Sequence, residues 1–272
     1  MDFETLDEQQ WQRVDHVHDL LDEGETETAR REIEALLRER PGHPDLLLAS
    51  AEVALDEGEP TQALATLAGA ERAADPAVFF LVRALAHYDL IHFEAARADA
   101  QQALLIHADS GLAHDLLARI AMHLDDPETA VEHAAAAEIL DPEAFPTPLD
   151  VTDEEFDALV ASNLAELPER VRALLEEIPV LIDRLPARDL LAAEDPPLSP
   201  DILGLFVGRH ILERSVGDVA TPPNTIHLFR HNLLRECRDR DELAREIQIT
   251  VQHEVGHLMS ADEDQLGDWG LA

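Results

Sequence analysis

Residues 26–70 read TETARREIEALLRERPGHPDLLLASAEVALDEGEPTQALATLAGA, and the spacing inside this stretch decides the front of the chain. Ala29 returns as Ala63 and Leu36 as Ala70, both after 34 residues. Outward from there the first column continues at Ala96 and Ala130, and the second at Ala103 and Ala137. A third column runs Val17, Ala51, Ala84 and Ala118, and every interval is 33 or 34. Small residues are needed where antiparallel helices approach closely. Larger apolar residues such as Leu20, Leu47, Phe80 and Leu117 fill the space between hairpins. Gly24 and Gly58 fall between helices, and Pro41, Pro76 and Pro142 near unit ends, as chain breakers should.

This pattern resembles the tetratricopeptide repeat (TPR), whose 34-residue unit is a helix, a tight turn and a second helix. Four hairpins are expected over residues 1–142, although the third unit has no glycine at its turn. The resemblance implies a concave groove that binds a peptide or another protein. On the repeat register that groove shows Trp11, Leu21, Leu48, Leu55, Leu81, Leu85, Tyr88 and Met122. Beside them Asp22, Asp56 and Asp89 recur at one repeat position, either as a ladder for a basic segment or as a solvated face.

The chain has 272 residues, 46% apolar and 4% aromatic, which favours helices over a β-rich fold. It carries 58 acidic residues against 20 basic ones, for a net charge of −38, and no lysine. Such a surface repels nucleic acid and anionic membranes. The acidity is spread along the chain, which points to solubility in a salty cytoplasm more than to a cationic partner. The opening MDFETLDEQQ has no apolar segment, and no run of ~18 apolar residues could span a bilayer, so a cytoplasmic protein is expected. The single cysteine, Cys237, excludes an intramolecular disulfide.

Residues 143–152, rich in proline, read as a linker. Thr152 with Glu155 forms a capping box that predicts a helix from about 153. A second helix follows Pro168. PVLIDRL, ILGLFVG and NTIHLFR are strand candidates, and AEDPPLSPD is a loop. Asp241 is placed to cap a last helix, DELAREIQITVQHEVGHLM. That helix carries HEVGH at 253–257. Histidines four apart lie on one helix face, so His253 and His257 can reach one Zn²⁺. Glu254 between them is placed to act as general base on a water at the metal. Leu243, Ile247, Val251, Val255 and Leu258 form the stripe that packs on the domain, with the histidines elsewhere. Gly256 thins the helix for a close approach. Past the helix end, Asp262, Glu263 and Asp264 can supply a third ligand.

Here the chain resembles a bacterial family of compact zincin-like metallopeptidases with the motif HExxHxxGxxD. The matching residues are His253, Glu254, His257 and, at the carboxylate place, Glu263. Similarity extends over LPERVRALLEEIPVLID, ILGLFVG, PPNTIHLFRHNLLR and ITVQHEVGH. The resemblance implies a small α/β zincin-like fold over 153–272 that binds zinc through His253, His257 and Glu263. Two departures stand out. Ser260 replaces the family's glycine, and the carboxylate is Glu rather than Asp, with Asp262 and Asp264 as neighbours. The domain has no tyrosine to stabilise an oxyanion, which leaves His231, His227 and Arg230 as candidates. Cys237 reads as a core residue rather than a nucleophile.

The sequence therefore predicts a mostly α protein: a TPR-like solenoid followed by a small α/β metallopeptidase domain. The expected activity is zinc-dependent hydrolysis of peptide bonds, with the repeats holding substrate or partner. The alternative is a TPR adaptor whose zinc site is structural or inactive.

Overall fold

None of the twelve residues in the three repeat columns is more than 7% exposed, so the period marks the buried contacts of a helical array. The computed structural model describes residues 5–208 and 224–259. Eight helices build the front half in four hairpins: α1 (Glu8–Asp22) with α2 (Thr26–Glu39), α3 (Pro44–Asp56) with α4 (Pro60–Leu67), α5 (Pro76–Asp89) with α6 (Phe93–Ile106), and α7 (Gly111–His123) with α8 (Pro127–Leu140). Each helix packs on its hairpin partner, and those of the first three hairpins also pack on the next one. Pro44, Pro60, Pro76 and Pro127 each open a helix, where the missing N–H is not needed.

The turn inside each hairpin repeats in full detail. Gly24, Gly58, Ile91 and Asp125 fall 34, 33 and 34 apart and all have positive φ, 73°, 72°, 53° and 60°. Their N–H groups donate three residues back, to Leu21, Leu55, Tyr88 and Met122. The following N–H donates five residues back, to the carbonyls of Leu20, Ala54, His87 and Ala121. This is a left-handed helix cap, and the third and fourth hairpins keep it without glycine. Ile91 offsets part of its backbone cost by burying its side chain to 7% exposure.

The described residues divide into two compact units. One runs through Phe145 and includes Leu191–Ser199; the other takes Pro146–Leu190 and resumes at Pro200. Within 143–152, Phe145 lies against Gly111 in the first unit, while Leu149 and Val151 pack on the core of the second.

In the second unit α9 (Asp153–Glu166) starts at the expected capping box, with Thr152 and Glu155 bonded reciprocally at 3.2 and 3.1 Å. There follow α10 (Glu169–Leu175), β1 (Val180–Asp183), α11 (Arg188–Leu191), β2 (Gly204–Val207), β3 (Thr225–Phe229), α12 (Arg230–Glu236) and α13 (Arg240–Met259). The sheet order is β1-β3-β2, with β1 parallel and β2 antiparallel to β3. Ile226 and Leu228 of β3 enter a core with Phe156 and Val160 of α9 and Ile247, Val251 and Val255 of α13. The cap of α13 is Asp239, not Asp241: its Oδ1 accepts the Glu242 N–H at 2.8 Å while Glu242 accepts the Arg238 N–H. Asp239 and Glu242 have the three-residue spacing of a capping box, with the return bond made to the N–H one residue earlier, at Arg238. The helix α12 carried no sequence signal of its own; its N-cap position, Phe229, makes no side-chain cap. Among the described residues no helix is long and apolar enough to cross a membrane.

Candidate metal centre on the last helix

Leu243, Ile247, Val251 and Val255 are each 0% exposed, so one full stripe of α13 is core, as its periodicity requires. Thr250 and Glu254, one helix turn apart, lie beside that stripe and are each 6% exposed. His253 and His257 fall on the exposed side of the same helix. Their Nε2 atoms meet at 2.9 Å, with ring centroids 4.5 Å apart and planes at 85°. Two imidazole nitrogens on one tetrahedral zinc lie about 3.3 Å apart, from Zn–N distances of about 2.0–2.1 Å. The pair is thus within a few tenths of an ångström of the spacing a shared ion demands, and the donor set suits zinc. Among the described residues no third His, Cys, Asp or Glu completes a metal-binding group. Glu263, and its neighbours Asp262 and Asp264, lie outside the described residues.

Glu254 is turned inward. Its Oε2 accepts the Phe206 backbone N–H at 2.7 Å. Burial pushes its carboxyl above the ordinary range; the Phe206 N–H and the two histidines pull it part of the way back. The contact depends on β2 lying close to α13. A Cβ on Gly204 would sit 2.5 Å from Thr250 Cγ2, 3.1 Å from the His227 carbonyl oxygen and 3.4 Å from Glu254 Cγ. A close approach of strand to helix is thus made at Gly204. Glycine inside a strand candidate was the available signal for it.

Two of the suggested oxyanion groups, His227 and Arg230, have side-chain partners of their own. His227 has Nδ1 on Asp183 Oδ2 at 2.7 Å and Nε2 on Thr225 Oγ1 at 3.1 Å. Alternation along β3 sets this ladder on the sheet face opposite Ile226 and Leu228, which face the core with α13. Arg230 pairs with Asp153. His231 donates its backbone N–H to Arg184. The Cys237 thiol is pushed up to about 12, chiefly by burial and then by surrounding carboxylates, so it is no nucleophile at neutral pH.

Of the anticipated groove residues, Leu48 and Tyr88 are instead core, at 7% and 1% exposure. Tyr88 lies under the Arg119 guanidinium and beside Phe93 and His123. Trp11 is 37% exposed, and Leu21, Leu55, Leu81, Leu85 and Met122 are half-buried. Asp22, Asp56 and Asp89 each end the first helix of a hairpin. Asp56 accepts the Thr26 hydroxyl of the preceding hairpin.

Residues 175–271 match the zincin-like metallopeptidase family. The matched span of this zincin-like domain starts at the end of α10 and includes the helix with both histidines. Residues 20–85 match the tetratricopeptide repeat. No curated protein matches the chain. Among solved structures the chain is similar to MamA at 18% identity, with a TM-score of 0.39 over 55% of this chain and 81% of that one. It is also similar to MamA 41-end from Desulfovibrio magneticus RS-1, at 22% identity and a TM-score of 0.41 over 48% and 75%. The protein thus joins a zincin-like domain to a repeat region of the kind that binds proteins.

Proposed function

We propose that the zincin-like domain is a zinc-dependent peptidase, with His253, His257 and Glu263 as metal ligands and Glu254 as general base, and that the repeats hold its protein substrate or a partner. The observation that carries this reading is the convergence of two exposed imidazole nitrogens at 2.9 Å beside a buried carboxylate one residue away. Zinc, when bound, supplies Lewis acidity toward a carbonyl and a water. Glu254 takes the proton of the attacking water and delivers it to the departing amine. A carboxyl raised by burial suits that task, because a base is most effective with its pKa nearer the working pH. His253 and His257 must both be neutral to offer lone pairs to a metal.

The test is metal analysis and digestion of an unbiased peptide library by the wild type, Glu254→Gln and His257→Ala. Glu254→Gln is expected to keep about one zinc per chain and lose turnover by ~100-fold or more. His257→Ala is expected to lose both. Zinc retained in His257→Ala, or turnover retained in Glu254→Gln, would overturn the reading. The repeat match favours one rival, an adaptor with a structural zinc site. In that case the wild type holds zinc, cleaves nothing, and still binds partners through the repeats.

A further inference from the structure

The carbonyl of Leu203 accepts the Phe229 N–H at 2.9 Å, so residue 203 turns its polar groups toward β3. In an antiparallel pair these directions alternate. Gly204 and Phe206 therefore turn their N–H groups away from β3, and in the order β1-β3-β2 that side is the edge of the described sheet. Glu254 Oε2 takes the Phe206 N–H there. The bond exists because nothing separates β2 from α13 at Gly204, where the nearest atom to an added Cβ is the Thr250 methyl at 2.5 Å.

We propose that Gly204 is a positioning residue: by lacking a side chain it seats β2 against Thr250, so that the Phe206 amide holds one oxygen of Glu254 and fixes the base beside His253 and His257. This rests on the peptidase reading above. A carboxylate on a buried helix face has two free side-chain rotations near its end, and one charge-assisted N–H bond removes most of that freedom. Oε1 is then left to exchange a proton while Oε2 anchors the group. An error of about 1 Å in the placement of a catalytic group can cost on the order of 100-fold in rate.

The experiment uses the full-length, zinc-loaded protein labelled with ¹⁵N-phenylalanine, which gives at most eight amide signals. Phe206→Leu assigns the signal of interest. Glu254→Gln calibrates it, since a neutral acceptor moves the amide proton upfield. Gly204→Ala is expected to move the Phe206 signal the same way and to lower kcat tenfold or more, with zinc content kept and KM within about threefold. Adding Thr250→Ser removes the clashing methyl, and the double variant is expected to recover both the signal position and most of kcat. Thr250→Ser alone should match the wild type. If Gly204→Ala does not fold, the double variant is compared with Thr250→Ser instead. A Phe206 signal that ignores Glu254→Gln or Gly204→Ala would overturn the assignment, and so would a folded double variant that recovers neither quantity. A wild type with a Glu254-sensitive signal and no turnover would overturn the catalytic role, with the fault in the peptidase reading and not in the contact.

Discussion

As the proposed ligands, His253 and His257 would leave two positions of a tetrahedral ion to other donors, and a protein site with only two imidazoles holds zinc weakly. The family resemblance selects Glu263 from three consecutive acids. Glu263→Gln is accordingly expected to weaken zinc binding tenfold or more in a chelator competition, while Asp262→Asn and Asp264→Asn change it by less than about threefold. A larger effect at either neighbour would move the ligand. The pairing of His253 with His257 on one helix face was legible from a five-residue pattern because a helix turns side-chain spacing into geometry. Glycine within a strand candidate marked Gly204, but the contacts it permits, Gly204 with Thr250 and Phe206 with Glu254, were silent, because strand-to-helix contacts across 46 and 48 residues leave no local trace. Asp99 was equally silent: an acid in an alanine-rich helix reads as surface. It is 7% exposed, and both its oxygens are gripped by Arg83 at 2.7 and 2.6 Å. Asp99→Ala strands that guanidinium between helices and is expected to cost about 2–3 kcal/mol in chemical denaturation. A loss below about 0.5 kcal/mol would class the pair as a surface bridge.

Within the hairpins, the left-handed cap recurs four times but only two of the four carry glycine. Sequence alone locates such a turn by its glycine, so the third and fourth were visible only through the register of the alanine columns. Asp125 bears the strained φ with an exposed side chain. Asp125→Gly is expected to raise stability by about 0.5–1 kcal/mol. Ile91→Gly has a different outcome, because its buried side chain is lost with the strain, and a net loss is expected. A second element-scale feature joins α7 and α8, where His114 Nδ1 and His133 Nδ1 lie 2.8 Å apart. Burial, and then the charge of His114, holds His133 below its ordinary 6.5, with Glu132 opposing. A base with a lowered folded value takes up its proton first in the unfolded chain. Its stability is full above the ordinary value and is lost as pH falls through it toward the folded one. Between about pH 7.5 and pH 5.5 the wild type should therefore lose more stability than His133→Gln does, read as the difference in denaturation midpoints. Equal losses would show that the pair does not titrate with folding.

Across the whole molecule, −38 charges on one chain repel one another in the folded state more than in the unfolded one. Salt screens that repulsion over about 10 Å at 0.1 M, so the melting temperature should climb by several degrees from about 0.05 M to about 1 M salt. A fall would remove the saline explanation of the acidity. We propose that the repeat region folds alone, since each hairpin contacts mainly its neighbours. A 1–145 fragment should give a strongly helical circular dichroism spectrum, and a coil spectrum would refute separability. The solenoid was legible at this scale because a period survives any single substitution, whereas α12 and the β-strand edges are set by packing that no short segment encodes. One of those edges bears on how the protein is handled. In the described sheet β2 is an edge strand, and such an edge is a template for sticking to another copy; the carboxylate on the Phe206 amide occupies one of its outward donors. The choice of substitution at 254 then matters beyond the proposed catalytic role. Glutamine at 254 still offers an oxygen to that amide, while alanine removes this acceptor. Light scattering should find Glu254→Ala forming soluble aggregates at concentrations where Glu254→Gln stays monodisperse.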